Sequence, residues 1–237
     1  MEQTMIESLQ KFKDLDCKAE PLFFSFEGGE GSGKSTVLHS VGKMLSEKGY
    51  DVLITREPGG NSSGMSEEIR TLILSDKMAQ MSPLTEAFLY AASRTQHIQE
   101  VIKPALQVGK IVLTDRYVDS SLVYQGLVWG NLAAVATINF LAIAGTMPAT
   151  TLFFDVAPEI ALVRVFAQRQ EEINHLDKRE ISFHQDVYNG FKMLRNFFPQ
   201  RYQTIDATRS LNLVIAEVYQ CILSQIESGE TSGNHTE

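Results

Sequence analysis

Residues 27–36 read E-G-G-E-G-S-G-K-S-T, with four glycines among the six positions 28–33. Glycine loses more conformational freedom on folding than any other residue, and in a helix interior it costs about 1 kcal/mol relative to alanine. Neither a core strand nor a surface helix gains from such a run. The stretch therefore indicates a backbone that another chemical group approaches closely, directly ahead of a lysine and two hydroxyl side chains.

The spacing Gly28-x-x-x-x-Gly33-Lys34-Ser35 is that of a phosphate-binding loop. Its context fits, because an apolar run at 22–26 enters it and a helical pattern over 35–48 leaves it. Successive backbone N–H groups can form an anion nest there, aided by the positive end of the helix. In such loops the lysine reaches the β- and γ-phosphates and the serine hydroxyl binds Mg²⁺. The predicted ATP-binding residues are Gly28, Gly29, Glu30, Gly31, Ser32, Gly33, Lys34, Ser35 and Thr36.

Apolar runs and helical patterns alternate along the chain, which predicts an α/β fold. The predicted strands cover residues 22–26, 52–55, 111–114, 151–154 and 202–205. The predicted helices cover residues 35–48, 84–107, 132–144, 158–170, 183–198 and 211–226. Most of the strands are apolar on both faces, as in a sheet that helices cover on both sides. We expect a P-loop NTPase-type parallel five-stranded sheet with helices on both faces and a lid segment.

The chain has 237 residues, of which 43% are apolar and 21% charged, and its net charge is -8. One α/β domain is the expectation for this length, and the acidic balance argues against binding nucleic acid through a general basic surface. Only two cysteines are present, which predicts a reduced, cytoplasmic setting. No apolar run approaches the 18 residues of a membrane span, and the N-terminus lacks the apolar centre of a secretory signal.

Polar residues follow the second and third predicted strands, at the edge where α/β sheets bind ligands. Asp115 can hold a metal ion together with Ser35, and Arg116 can neutralise a transferring phosphoryl group. Arg56 begins a rigid turn, R-E-P-G-G, and would point into the same crevice. Tyr90 and Arg94 share a helix face, where a ring and a guanidinium could stack on and hydrogen-bond a nucleobase. Taken alone, Tyr90 is also a reasonable core residue, and Arg94 and Arg70 could be solvated helix charges.

These motifs together resemble those of the bacterial thymidylate kinase family. The resemblance covers residues 22–226, and it rests on the order and spacing of several stretches. They are F-E-G-G-E-G-S-G-K-S-T at 26–36, T-R-E-P-G-G at 55–60, Y-A-A-S-R-T-Q-H at 90–97, V-I-K-P-A-L at 101–106, D-R-Y at 115–117 and Y-Q-G at 124–126. The resemblance implies an enzyme that transfers the γ-phosphoryl group of ATP to dTMP, with Mg²⁺ as cofactor, and that forms a homodimer.

The resemblance also implies site residues. Tyr90 stands where the family usually has the phenylalanine that stacks on thymine, and this departure adds a hydroxyl that needs a partner. Arg94 matches the arginine that reads the base, and Asp115 the acid associated with the metal. The implied dTMP-binding residues are Arg56, Arg70, Tyr90, Arg94, Arg116, Tyr124 and Gln125. The implied catalytic residues are Lys34, Arg116, Asp115, Glu30 and Arg169, and the implied metal ligands are Ser35 and Asp115.

A lid is expected over about 168–181, where the resemblance implies basic residues that serve the phosphates. Asp177-Lys178-Arg179-Glu180 departs from the family's usual Asp-Arg-x-Glu, because a lysine stands where an arginine is expected. Lysine is a point charge without the planar fork of arginine. Arg169 is our first choice for the residue that stabilises the transferring group, with Arg164, Lys178 and Arg179 as alternatives.

The expected organisation is an N-terminal extension over 1–20, a single nucleoside monophosphate kinase domain over 21–227 and a flexible tail over 228–237. Other readings remain open at this stage. Another P-loop nucleotide kinase is one, and a deoxynucleoside kinase, for which Glu57 could be the base, is another. A regulatory NTPase switch is disfavoured because no guanine-reading N-K-x-D occurs. An inactive binding module is disfavoured because four residues are intact, namely Lys34, Ser35, Asp115 and Arg116.

Overall fold

The computed structural model describes residues 2–16, 18–60, 64–75, 81–168 and 180–233. The strands are β1 Glu20–Glu27, β2 Val52–Arg56, β3 Ile111–Asp115, β4 Pro148–Asp155 and β5 Tyr202–Asp206. The helices are α1 Glu2–Asp16, α2 Lys34–Glu47, α3 Met65–Ile73, α4 Pro83–His97, α5 Lys103–Gln107, α6 Val118–Ser121, α7 Leu132–Ile143, α8 Pro158–Gln168, α9 Ile181–Phe197 and α10 Leu211–Gly233. Two π-helical turns cover Ile98–Ile102 and Leu122–Val128.

The five strands form one parallel sheet in the order β2-β3-β1-β4-β5, which confirms the predicted fold class. β1 and β3 are neighbours in the sheet. The chain leaves β1 toward β2, at one edge of the sheet, and leaves β3 toward β4, in the direction of the other edge. In open α/β sheets the ligand crevice lies at such a point, beyond the carboxyl ends of the strands. The register pairs Asp115 at the end of β3 with Phe26 on one side and Arg56 on the other. The ends of three strands therefore meet where the phosphate-binding loop begins.

Successive side chains along each strand point to opposite faces of the sheet and pack into two apolar cores, one on each face. Phe23 and Phe153 belong to the core that packs against α7 and α9. Phe24 and Phe154 belong to the core that packs against α2 and α10. All four rings are at most 1% exposed. The double-sided burial explains why the strand sequences read as continuous apolar runs.

The N-terminal extension predicted from the sequence forms helix α1, which is packed on the domain. Leu9 and Phe12 are fully buried, and the Phe12 ring meets that of Phe140 edge-on at 5.9 Å between centroids. At the end of α1, a carboxylate oxygen of Asp16 accepts a hydrogen bond of 3.0 Å from Arg201. The extension therefore shares the core of the α7 face.

The long helix predicted over 84–107 is divided into α4, a π-helical turn and α5. The interruption lies directly before Pro104, which has no N–H and whose ring clashes with the carbonyl four residues earlier in an α-helix. A π turn changes that spacing and allows the helix to continue to Gln107. Helix α3 and the π turn Leu122–Val128 have no counterpart in the sequence prediction. With nine residues, α3 is too short to be stable alone and packs along α4.

The C-terminal helix is longer than predicted, because α10 runs to Gly233 and includes part of the predicted tail. The predicted lid falls between α8 and α9, and most of it, including Arg169, Lys178 and Arg179, lies outside the described residues. Among the helices that the structure describes, none combines the length and the apolarity needed to cross a bilayer.

Candidate active site

The glycine-rich loop connects the buried strand β1 to helix α2 and turns back over the sheet edge. Gly33 caps α2 with a left-handed φ of 85°. Gly31 also has a positive φ, 72°, and a Cβ there would lie 2.2 Å from the carbonyl oxygen of Ala161 in α8. Glycine at 31 is therefore required by the close packing of α8 as well as by backbone conformation. The first N–H groups of an α-helix have no partner within the helix, so those of α2 are available to an anion at the loop.

The loop brings together the side chains that were predicted to hold phosphate and metal. The Ser35 hydroxyl donates a short hydrogen bond to Asp115, and the Lys34 amine lies 3.9 Å from the other oxygen of that carboxylate. Lys34 is 6% exposed, and its amine also donates to the Gly29 carbonyl at 3.5 Å. Burial and the nearby Arg116 guanidinium lower the pKa of the Lys34 amine, while Asp115 and other carboxylates oppose that shift.

A cavity of about 400 Å³, the loop cavity, opens above the start of α2. Its walls are Gly31, Ser32, Gly33, Lys34, Ser35, Thr36, Val37, Arg164, Val165, Ala207, Arg209, Leu211 and Val214. The Ser32 hydroxyl is buried and has no hydrogen-bond partner among the described residues. Arg209 and Leu211 were not predicted, because the turn after β5 carries no recognisable motif.

A second cavity of about 250 Å³, the cleft cavity, lies beside the first, over the ends of β1, β2 and β3. All seven predicted dTMP-binding residues line it: Arg56, Arg70, Tyr90, Arg94, Arg116, Tyr124 and Gln125. Lys34 and Ser35 line both cavities. The two cavities therefore meet at the lysine and the serine of the loop.

Arg116 joins the loop to the cleft cavity. Its guanidinium donates to the Gly28 carbonyl at 3.0 Å, to the Ser120 hydroxyl at 3.0 Å and to Glu30 at 2.5 Å. It also lies over the ring of Tyr124, 5.2 Å from the centroid. Arg116 is one of two described non-glycine residues with a positive φ, here 70°. A backbone in this region persists only where the surroundings hold it, and such residues cluster at functional sites.

Arg94 is deeply buried and holds the wall of the cleft cavity together. It donates to Glu57 at 2.7 Å, to Asn139, to the Tyr117 carbonyl at 3.3 Å and to the Ser121 hydroxyl at 3.1 Å. These contacts occupy four of its five N–H groups, so one remains for a molecule in the cavity. The reading of Arg94 as a solvated helix charge is wrong, since the residue is 2% exposed.

Two further arginines of the cleft cavity are held by one carboxylate that was not predicted from the sequence. Glu67 of α3 accepts a 2.7 Å hydrogen bond from Arg56 and lies 3.6 Å from Arg70. Arg70 also donates to the Pro58 carbonyl at 2.6 Å. Burial and the charge of Arg56 lower the pKa of Arg70. Because α3 itself was not predicted, its acidic residue could not be assigned to the site.

Tyr90, Tyr124 and Gln125 also line the cleft cavity. Gln125 donates to Glu86 at 3.1 Å, on the same helix as Tyr90. Burial and the charge of Glu86 raise the pKa of the Tyr90 phenol to about 12. Tyr90 therefore keeps its proton at neutral pH and presents both a ring and an O–H donor.

His97 and Glu57 form a buried pair that supports Arg94. The imidazole lies 2.7 Å from the Thr55 hydroxyl and 3.1 Å from Glu57. Both side chains are almost fully buried. His97 has a structural position beneath the cleft cavity, and Glu57 is shared between His97 and Arg94.

The sheet order, the loop and the paired cavities define a P-loop nucleotide-binding protein of the α/β class. The family model described as thymidylate kinase matches residues 26–218. A thymidylate kinase of Geobacillus thermodenitrificans is 46% identical over 209 residues, which are 88% of this chain and 92% of that relative. One from a Geobacillus species is 46% identical over 206 residues, 86% of this chain and 97% of the relative.

A solved structure agrees with the sequence relatives. The crystal structure of thymidylate kinase from Ehrlichia chaffeensis superposes with a TM-score of 0.66 and 30% identity, over 85% of this chain and 97% of that one. This chain belongs to the thymidylate kinase family.

Proposed function

We propose that this chain transfers the γ-phosphoryl group of ATP to dTMP, giving dTDP for the synthesis of dTTP. The observation that carries the proposal is that the loop cavity and the cleft cavity share Lys34 and Ser35. Two nucleotides in these cavities would meet with their phosphates at the shared residues. Phosphoryl transfer depends mainly on such positioning and on charge neutralisation.

ATP fits the loop cavity, in our proposal, with its phosphates on residues 28–36. The N-terminus of α2 and the Lys34 amine offer donors and positive charge to the phosphates. The unpartnered Ser32 hydroxyl would gain a phosphate oxygen as acceptor. Arg164 and Arg209 lie farther along the same cavity, where the adenosine would extend.

Mg²⁺ fits the pair formed by Ser35 and Asp115, whose oxygens already lie within hydrogen-bond reach. Magnesium typically takes one or two protein oxygens and fills its other positions with water and substrate phosphates. The described residues contain no cluster of three or more Asp, Glu, His or Cys side chains that could hold a metal ion. In our proposal the protein supplies only two Mg²⁺ ligands. The ion would supply charge neutralisation between the β- and γ-phosphates.

dTMP fits the cleft cavity with its base near Tyr90 and Arg94 and its phosphate toward Lys34. Arg70 and Arg116 would hold that phosphate, and Glu30 and Glu67 keep these guanidinium groups in place. The nucleophile is a phosphate oxygen that is largely ionised at neutral pH, so no general base is required. Glu57, the carboxylate proposed as the base of a deoxynucleoside kinase, is already engaged by Arg94 and His97.

The first experiment is the substitution Lys34→Ala in an assay that couples ADP release to a colour change. Loss of the lysine removes one fixed positive charge from the transferring group, which we expect to slow turnover about 100-fold or more. Lys43→Ala is the matched control, because Lys43 lies on the same helix with its side chain 76% exposed. Ordinary turnover by a folded Lys34→Ala protein would contradict the proposal.

The acceptor is tested with dTMP, dUMP, UMP and dCMP, each with ATP and Mg²⁺. A pocket that seats the thymine methyl group and leaves no room for a 2′-hydroxyl favours dTMP over the other three. We expect the largest kcat/KM for dTMP. Equal values for the four acceptors would overturn the assignment of the cleft cavity to thymidylate.

A homodimer in the cytoplasm is part of the same proposal. Met65 on α3, Phe88 on α4 and Leu141 on α7 are each more than half exposed, and α4 packs against both other helices. These helices therefore offer an apolar surface that a second copy could cover. We expect Phe88→Glu to give a monomer by light scattering, and Val108→Glu, at another exposed apolar residue, to leave the mass unchanged.

We also propose that residues 21–227 form a single nucleoside monophosphate kinase domain on which the N-terminal extension docks. The shared core of α1 and α7 supports this organisation.

A further inference from the structure

Glu27, the last residue of β1, is a buried carboxylate that none of the roles above uses. It is 0% exposed, and the hydrogen bonds that its carboxylate accepts come from Tyr117 and Ser120, after β3. One oxygen accepts from the backbone N–H groups of Tyr117 at 2.8 Å and Ser120 at 3.4 Å. The other accepts from the Ser120 hydroxyl at 2.6 Å. A carboxylate is buried in this way only where donors such as these replace water.

These donors follow Arg116 closely in sequence. Both the backbone N–H and the carbonyl of Arg116 are also hydrogen-bonded. The Arg116 N–H donates to the Phe26 carbonyl at 3.0 Å, and its carbonyl accepts from the Thr114 hydroxyl at 2.9 Å. The next N–H along the chain is that of Tyr117, which Glu27 binds. Since Arg116 has a φ of 70°, this set of contacts is what keeps an unfavourable backbone conformation in place.

Glu27 also acts on the side chain of Arg116, through Ser120. A serine hydroxyl has a single hydrogen, and here it points to Glu27. The lone pairs of the same oxygen are then free to accept the 3.0 Å hydrogen bond from the Arg116 guanidinium. One carboxylate thereby fixes both the backbone and the side-chain direction of Arg116.

We propose that Glu27 is a positioning residue, which aims the Arg116 guanidinium at the point where the loop cavity and the cleft cavity meet. The inference rests on the proposed role of Arg116 in holding the phosphates. Glu27 itself lines neither the loop cavity nor the cleft cavity, so its effect on the reaction passes through Arg116.

The test is Glu27→Gln assayed at about pH 9, where the carboxylate is ionised, because its pKa is raised to about 8. The substitution keeps the shape of the side chain but replaces one acceptor oxygen with an NH₂ donor. The amide cannot accept from both Ser120 and Tyr117, so Arg116 loses part of its support. We expect kcat to fall about 10-fold to 100-fold, the scale of a small misplacement of a catalytic group, while KM for ATP changes less than about 2-fold. Glu20→Gln, at the other end of β1, is the matched control and retains full activity.

A double-substitution cycle separates this inference from the role of Arg116 itself. If Glu27 acts through Arg116, Glu27→Gln reduces kcat in the natural chain but by less than about 2-fold in an Arg116→Ala background. An equal loss in both backgrounds overturns the inference. Full activity of Arg116→Ala overturns instead the proposed role of Arg116.

Ser120→Ala tests the same inference if the Glu27→Gln protein does not fold. It removes the hydroxyl between the two side chains and leaves the carboxylate bound to the two backbone N–H groups. We expect a smaller kcat loss, of roughly 3-fold to 10-fold, which again disappears in the Arg116→Ala background. A Ser120→Ala protein with unchanged kcat contradicts the relay from Glu27 to Arg116.

Discussion

Arg94 Nε and a carboxylate oxygen of Glu57 lie 2.7 Å apart, and each side chain is only 2% exposed. The pair spans 37 positions of sequence and connects the end of β2 to α4. His97 binds the second oxygen of Glu57 at 3.1 Å. The wall of the cleft cavity thus depends on one buried carboxylate that two basic side chains share.

Removing that carboxylate should destabilise the protein strongly. Glu57→Ala leaves the Arg94 charge buried without its partner, which typically costs about 3–5 kcal/mol. Urea denaturation followed by circular dichroism measures the change. Glu47→Gln removes an exposed pair with Lys43 and should change the free energy of unfolding by no more than about 0.5 kcal/mol. A Glu57→Ala midpoint equal to that of the control would contradict the prediction.

Asp115→Asn should slow the reaction and change its dependence on Mg²⁺. The neutral amide weakens the proposed metal position beside Ser35, and we expect kcat to fall roughly 100-fold and the Mg²⁺ concentration for half-maximal rate to rise. Rates over a magnesium titration measure both effects. Asp51→Asn, at an exposed carboxylate that pairs with Lys110, should leave the titration curve unaltered. An Asp115→Asn enzyme with the natural curve would exclude Asp115 as a ligand.

Tyr90 should contribute through its ring more than through its hydroxyl. Stacking of a base on an aromatic side chain is typically worth about 1–3 kcal/mol, so Tyr90→Ala should raise KM for dTMP roughly 10-fold to 100-fold. Tyr90→Phe keeps the ring and should stay within about 3-fold of the natural value. Steady-state kinetics with dTMP as the varied substrate distinguish the two. Equal KM values for the alanine and phenylalanine variants would refute a stacking role.

Helix α1 should be a stabilising part of the fold. Phe12 is fully buried against Phe140, and Phe12→Ala should cost about 3–5 kcal/mol, including the cavity that it leaves. Lys11→Ala, at the exposed neighbouring position, is the control. If thermal denaturation gives the same midpoint for both variants, α1 does not contribute to the core in solution.

The raised pKa of Glu27 predicts how the free energy of unfolding changes with pH. Burial and the charge of Asp119 raise the pKa of Glu27 to about 8, against the opposing effect of Arg116 and of the hydrogen bonds from Ser120 and Tyr117. The folded protein therefore binds a proton more tightly than the unfolded chain, and this contribution to stability is lost as pH rises from about 4.5 through about 8.

The measurement is the difference in thermal midpoint between the natural chain and Glu27→Gln over that pH range. The natural chain should lose stability relative to the variant as pH rises, and the difference should level off above pH 8 or so. A difference that does not change with pH would mean that Glu27 is ionised throughout.

The sequence predicted the elements whose pattern is local. The five strands are continuous apolar runs because both sheet faces are covered, and each predicted strand lies within an observed one. The loop residues could be predicted because glycine spacing and the following lysine carry the geometry in themselves. All seven predicted acceptor residues line one cavity, and the motifs that identified them lie at strand and helix ends.

The remaining features depend on contacts between distant residues. Helix α3 is short and stabilised by α4, so its sequence alone did not indicate it. Glu67 was missed with it, and Glu27 was missed because a carboxylate at a strand end gives no sign that its donors lie 90 positions away. The positive φ of Arg116 likewise follows from contacts with β1 and has no local signal.

The shared wall of Lys34 and Ser35 has a consequence for inhibitor design. Because the same two residues bound both cavities, a single compound could place an adenosine in one, a thymidine in the other and a polyphosphate tether across the junction. Binding of one end would raise the effective concentration of the other, so affinity should depend steeply on tether length. The tether length that gives the highest affinity would measure the distance between the two bound nucleosides.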